Sequence, residues 1–142
     1  MKAVKYITIA ISLLISMSLY AQADQDGVEA VVTNFVKNID SNNADALSKM
    51  VLPGGSIIVV NDLKKSIDQY STDQLVNMVK NKQAGGWTRN VNISSVNVDG
   101  NTAVAMVNIS DARLKQSGFI TLLKDNGSWK VASQVTTLQL NK

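Results

Sequence analysis

The side chains in this chain that could move a proton or grip a ligand are few. Histidine and cysteine are both absent, which removes Ser-His-Asp and Cys-His nucleophilic sites and metal sites of the His/Cys kind. No metal site and no cofactor is expected. Proton transfer is left to carboxylates, Tyr, Lys and Arg, and an Asp base with a Tyr or Asp donor in an apolar pocket is sufficient for some isomerisations. Most of the acids have local explanations. Asp99 and Asp125 fall in turns, where Asp bonds its own backbone. Asp24, Asp26 and Asp73 read as helix starts, and Glu29, Asp40 and Asp45 as the polar sides of helices. Asp111 with Arg113 is the least explained pair. With Arg89 they are the candidates for a polar pocket mouth; the competing reading for the pair is a surface salt bridge. No catalytic residue is assigned.

Phe35, Tyr70, Met78, Trp87, Met106 and Phe119 are the candidates for lining an apolar pocket. Core filling competes with that reading, and is the stronger one for Phe35 and for Trp129. Trp87 follows Gly85-Gly86 and stands beside Arg89, a place suited to a pocket rim.

The elements that must position these residues follow from periodicity. Val28, Val31, Val32, Phe35, Val36 and Ile39 form one apolar stripe at helical spacing, with Asp24 or Asp26 able to cap its start. Burying those side chains contributes on the order of 1.5–3 kcal/mol each before ordering costs. Ser41-Asn42-Asn43 breaks this helix and caps a shorter one, Ala44 to Met50, which Pro53-Gly54-Gly55 ends. Ser56 to Asn61 is a β-branched run and reads as a strand, with a shorter strand over Lys64 to Tyr70. Ser71 and Gln74 have capping-box spacing for a third helix with Leu75, Met78 and Val79 inward, ending at Gly85-Gly86. Beyond it the chain reads as strands: Thr88 to Val98, with a phase slip at Ser94-Ser95 that predicts a bulge, Thr102 to Ile109, Gly118 to Lys124 after a loop over Asp111 to Ser117, and Ser128 to Leu140. The fold class is α+β: three N-terminal helical segments packed on a curved antiparallel sheet, forming a cone with a pocket.

The first residues have the order of an export signal. Lys2 and Lys5 precede an uncharged run from Tyr6 to Tyr20, and Ala21-Gln22-Ala23 supplies a cleavage site, with an alternative cut before Gln22. A spanning helix needs about 20 consecutive apolar residues, and this stretch is shorter and broken by Thr8, Ser12, Ser16 and Ser18. The expected organisation is residues 1–23 as signal peptide and 24–142 as one domain, exported to a periplasm or secreted, with no stable membrane anchor after cleavage. The net charge of +3 loses Lys2 and Lys5 with the leader, and the remaining basic residues are scattered. Nucleic-acid binding needs a clustered basic face, so no nucleic-acid partner is expected.

The chain resembles the nuclear transport factor 2-like superfamily, and more narrowly the small proteins described as "putative lumazine-binding". The residues that carry the resemblance are Ile39-Asp40-Ser41-Asn42-Asn43-Ala44-Asp45-Ala46-Leu47, Met50-Val51-Leu52-Pro53, Asn97-Val98-Asp99-Gly100-Asn101-Thr102-Ala103-Val104-Ala105, and the block from Phe119 to Val131 with its Asp125-Asn126-Gly127 turn and Trp129. It implies the cystatin-like cone. It also implies polar residues that this chain has replaced: a His-Pro-Asp falls on Leu52-Pro53-Gly54, an Asp falls on Gly118, and a His falls near Thr137. Each replacement removes a proton-transfer group. The expected function is a non-catalytic domain that binds a small apolar or aromatic ligand or serves as an interaction module. The alternative is an isomerase- or dehydratase-like enzyme using Asp111 or Tyr70. A homodimer through the open sheet face is also expected, because Val104 and Met106 make the face opposite Ala103, Ala105, Val107 and Ile109 apolar too.

Overall fold

The computed structural model describes the backbone of residues 2–141 and the side chains of residues 20–141. The first helix, α1 (Lys2–Asp40), runs unbroken through the candidate leader into the domain, so Asp24 and Asp26 lie inside it and do not cap it. Most of the candidate leader lies outside the described side chains. Among the described residues no helix is long and apolar enough to cross a membrane. The apolar stripe of α1 is seated as its spacing predicts: Val28, Val32, Phe35, Val36 and Ile39 are buried and Val31 is partly buried. A short helix α2 (Ala44–Met50) follows, with the Asn43 side chain accepting from the Ala46 N–H.

Helix α2 passes directly into strand β1 (Val51–Asn61), so Pro53-Gly54-Gly55 is part of a strand and not only a helix stop. That segment is irregular, for the pairing jumps from Val51 to Ser56. A Cβ at Gly55 would stand 2.4 Å from the Ala132 carbonyl; the close approach of the two strands there requires glycine. Strand β2 (Ser66–Ser71) returns antiparallel. The helix α3 (Thr72–Lys80) opens with the expected reciprocal box, in which the Gln74 N–H donates to Ser71 Oγ at 3.1 Å and the Ser71 N–H to Gln74 Oε1 at 2.7 Å. Four strands complete the fold as a meander: β3 (Asn90–Asp99), β4 (Thr102–Ser110), β5 (Leu114–Asp125) and β6 (Ser128–Leu140). The bulge expected in β3 is present between Ile93 and Ser95.

The six strands form one sheet in the order β2-β1-β6-β5-β4-β3. The α+β class stands, with one correction: the sheet is mixed, because β6 returns beside β1 in the same direction. A parallel neighbour needs a long connection, and α3 with the meander supplies it. Strand β5 begins four residues earlier than its apolar run suggests. Asp111 makes the turn before it tight: its Oδ1 accepts from the Arg113 N–H at 2.7 Å and the Leu114 N–H at 2.8 Å, and its own N–H donates to the Leu114 carbonyl at 3.0 Å. The helices cover one face of the sheet, and Ile57, Ala105, Val107, Ile120, Leu122 and Val131 of that face are buried against them.

Candidate functional site

Cross-strand register arranges the covered face in rows. One row runs Tyr70, Ile57, Gln134, Ile120, Ala105; the next runs Asp68, Val59, Thr136, Gly118, Val107; a third runs Asn61, Leu138, Gln116, Ile109. Phe35, Val36 and Ile39 of α1 and Leu75 of α3 face them across a cavity of about 260 Å³. Most of the wall is aliphatic or aromatic. In the floor, Gln116 Nε2 and Gln134 Nε2 both donate to Thr136 Oγ1, at 2.7 and 3.1 Å. Gly118 lies beside this cluster, and a Cβ there would come within 2.2 Å of the Val135 carbonyl. The strands meet too closely for the carboxylate that the family resemblance places at this position.

The mouth is built by the segment between α3 and β3, which α1 holds in place. Asn42, in the left-handed region at φ 55°, donates from Nδ2 to the Ala84 carbonyl at 2.6 Å. The Gly86 N–H donates to the Asp40 carbonyl at 2.8 Å. Gly85 has φ 100°, and a Cβ on it would meet the Ile39 carbonyl at 2.2 Å. Asp40 then takes Arg89: Oδ1 accepts from Nε at 2.8 Å and pairs with Nη2 at 2.5 Å, while Oδ2 accepts the Arg89 backbone N–H at 3.2 Å. Asp40 is therefore not a solvated helix-side acid, as its sequence position suggests, but a nearly buried anchor. The Arg89 guanidinium lies 4.7 Å from the centroid of the Trp87 ring, and Trp87 is 48% exposed at the rim.

Burial pushes the Tyr70 phenol up from its ordinary value, the Asp68 charge adds to this, and Arg89 opposes it. The backbone N–H groups of Arg113 and Leu114 hold the Asp111 carboxyl below the ordinary carboxylate value. Asp111 stays ionised and Tyr70 stays protonated at neutral pH.

Of the residues expected at the site, Phe35, Tyr70, Trp87, Arg89 and Asp111 line the cavity. Met78 does not; it packs partly buried against the core from α3. Met106 and Phe119 are paired neighbours on the opposite face of the sheet, 43% and 51% exposed. Arg113 is exposed and lies off the cavity, and its link to Asp111 is a backbone hydrogen bond, not a salt bridge. Sequence reasoning missed Asp68, Asn61, Gln116 and Gln134. Asp68 had a signal, since it stands two residues before Tyr70 in a strand and so shares its face. Among the described residues no group of acids is placed to hold a metal ion.

The model of the family described as "Putative lumazine-binding" matches residues 23–135. No curated protein matches the chain. Among solved structures, a nuclear transport factor 2-like protein of unknown function from Silicibacter pomeroyi superposes with a TM-score of 0.70 at 22% identity, covering 85% of this chain and 98% of its own. A similar protein with a cystatin-like fold from Novosphingobium aromaticivorans gives 0.65 at 15% identity, with 87% of each chain covered. One of unknown function from Shewanella baltica gives 0.62 at 17%, covering 87% of this chain and 97% of its own. At these identities the structures speak for the fold, and the family match spans most of the sequence: the chain belongs to the "putative lumazine-binding" family and has the nuclear transport factor 2-like, cystatin-like fold.

Proposed function

We propose that this is an exported, non-catalytic domain that binds a small, largely apolar or aromatic ligand between α1 and the sheet. The observation that carries the reading is the cavity itself, apolar in its walls and floored by an amide–hydroxyl cluster. Ligand sites are mostly apolar with a few placed polar groups, and typical drug-sized ones hold about 300–1,000 Å³. A cavity of about 260 Å³ suits a molecule of one or two rings. The family description points to a flat heteroaromatic compound, whose amide-like edges are of the kind that Gln side chains pair with. Export rests on the pattern of residues 1–23. Native mass spectrometry and thermal-shift screening against cell-extract metabolites test the reading. A bound small molecule that is lost on filling the cavity with Ala84→Leu is expected. No bound species and no stabilisation would leave only an interaction role.

Two carboxylates on the cavity, Asp68 and Asp111, favour a second reading, proton transfer to a bound substrate. Binding is the stronger of the two. A general base works best with a pKa near the operating pH, and the hydrogen bonds to Asp111 move it the other way. Deuterium from heavy water appearing in the recovered ligand, and lost in Asp68→Asn, would establish the enzyme.

The uncovered face of the sheet supports self-association. Ile58, Val135, Phe119 and Met106 stand in one row across four strands. The rows beside it, Ser56-Ser133-Thr121-Val104 and Val60-Thr137-Ser117-Asn108, carry no charge at all. A second copy of the chain meets no like charge there, and an exposed apolar patch of this kind marks an interface.

A further inference from the structure

We propose that the cavity selects a cationic ligand, an apolar body of one or two rings carrying a protonated amine. The inference rests on the cavity being the ligand site and names the ligand's charge. Three carboxylates stand at or beside the mouth, those of Asp40, Asp68 and Asp111, with the guanidinium of Arg89. Among the described residues Arg89 is the one cation lining the cavity, and Asp40 takes both its Nε and its Nη2 on one oxygen. Among the described residues neither Asp68 nor Asp111 forms an ion pair. Their hydrogen bonds come from uncharged donors: Ser66 Oγ to Asp68, and two backbone N–H groups to Asp111. Arg113 beside the cavity and Arg89 both act on Asp111, and three carboxylates still outnumber these two guanidinium groups, so the mouth carries net negative charge.

Two further observations point to the same ligand. Trp87 and Tyr70 present aromatic rings at the acidic mouth, and aromatic faces with carboxylates are the chemistry that holds ammonium groups. Arg89 stacks at the Trp87 ring as a cation already does. In the floor, Gln134 lines the cavity and gives its Nε2 to Thr136, which leaves its Oε1 free among the described residues to accept from a ligand. An amide oxygen on a cavity wall pairs with a donor-bearing ligand. Among the described residues an anion finds no unpaired cation lining this wall, and a neutral ring leaves the carboxylates unpaired.

Three probes of one ring system separate the outcomes: tryptamine (cationic), 3-methylindole (neutral) and indole-3-acetate (anionic), with thermal shift and titration calorimetry on the purified protein. Tryptamine is expected to bind about tenfold tighter than 3-methylindole, from a cation–aromatic contact and a partly exposed charge pair, and indole-3-acetate weakest. Asp68→Asn with Asp111→Asn should erase the advantage of tryptamine over 3-methylindole, and Asn keeps an oxygen for the local hydrogen bonds. The single variants, each removing part of the advantage, serve if the double variant does not fold. Equal or tighter binding of indole-3-acetate, binding of 3-methylindole without tryptamine, or a tryptamine advantage that survives both substitutions overturns the charge assignment and leaves the cavity reading standing. Binding of none of the three overturns both.

Discussion

Asp40 and Arg89 are 49 positions apart and meet through three contacts, two to the guanidinium and one to the backbone N–H. The last residue of α1 thereby fixes the first turn of chain before β3, and with it Trp87 at the mouth. Both side chains are nearly buried, Asp40 at 11% and Arg89 at 13% exposure. Breaking such a pair leaves an unpaired charge behind, at about 3 kcal/mol or more. Asp40→Ala should lower the chemical denaturation midpoint accordingly. Because Trp87 rides on Arg89, its fluorescence should also shift toward that of a solvated indole in the folded variant. Unchanged stability and emission would show that the loop is held by Asn42 and the glycines alone.

Gly118 tests how tightly β5 and β6 approach. Gly118→Ala drives a methyl against the Val135 carbonyl and the Thr136 backbone, neither of which can rotate away. Forced overpacking costs about 1–3 kcal/mol, read as a lower denaturation midpoint. Gly100→Ala is the contrast. A Cβ there meets nothing within 4 Å, so its cost should be confined to backbone strain at φ 56°, about 1 kcal/mol.

These two positions also show where the sequence was readable. The helix stripe, the capping box, the bulge in β3 and the meander follow from local periodicity, and the structure has them. Alternation with Ile120, Leu122, Ala105 and Val107 puts Phe119 and Met106 on the outer face; the phase argument for self-association places Met106 there correctly, whereas the pocket reading of both rests on residue type and fails. Gln134 and Thr136 had a real obstacle. The pairing of β5 with β6 slips between Thr121 and Leu122, an extra residue at Ala132 that turns Gln134 inward and Val135 outward. Since a one-residue slip exchanges the faces, simple alternation from Val131 gives the opposite answer. The Asp40–Arg89 contact has no local signal, because nothing near either residue encodes a partner 49 positions away.

Acid stability should depend on Asp111 and Asp24. Both carboxyls are held below the ordinary value, Asp111 by backbone N–H groups and Asp24 by its hydrogen bond with Lys124. The unfolded chain therefore binds protons first as pH falls. The stabilisation is complete above the ordinary carboxylate value and is lost as pH drops through the lower folded values. Asp111→Asn and Asp24→Asn should each flatten the acid limb of a stability–pH curve. Parallel limbs in wild type and variants would show that neither carboxyl is linked to folding. At the alkaline end, the raised Tyr70 phenol binds its proton more tightly in the fold, so stability should fall as pH climbs above the ordinary tyrosine value, and Tyr70→Phe should remove that loss.

The outer row gives a direct test of self-association. Phe119→Lys and Met106→Lys place charges in the centre of the three uncharged rows without touching the cavity. Light scattering should show a species of twice the monomer mass in wild type and a monomer in the double variant, with circular dichroism unchanged. A monomeric wild type at micromolar concentration would remove the interface.

If residues 1–23 are a leader, as proposed, the position of the cut decides which contacts the domain retains. The Asp24 carboxylate pairs with Lys124 at 2.5 Å, and Lys124 lies 5.0 Å from the centroid of the buried Trp129 ring. A chain cut after Ala21 or Ala23 keeps this clasp between the start of the domain and the β5–β6 hairpin. In a chain cut after Ala23, Asp24 itself carries the new α-amino group, which adds a positive charge beside Lys124 and should weaken the clasp relative to the cut after Ala21. Deeper trimming is different in kind. Val28 is fully buried, so a chain beginning at Glu29 loses an entire core side chain, about 1.5–3 kcal/mol, as well as the clasp. Expression with the native first 23 residues in a bacterium, followed by N-terminal sequencing of the periplasmic fraction, should find Gln22 or Asp24 first. Denaturation midpoints should then rank the Gln22 start above the Asp24 start, and both above a Glu29 start. A full-length product held in the inner membrane would show that residues 1–23 act as an anchor, and the domain would work at the membrane surface.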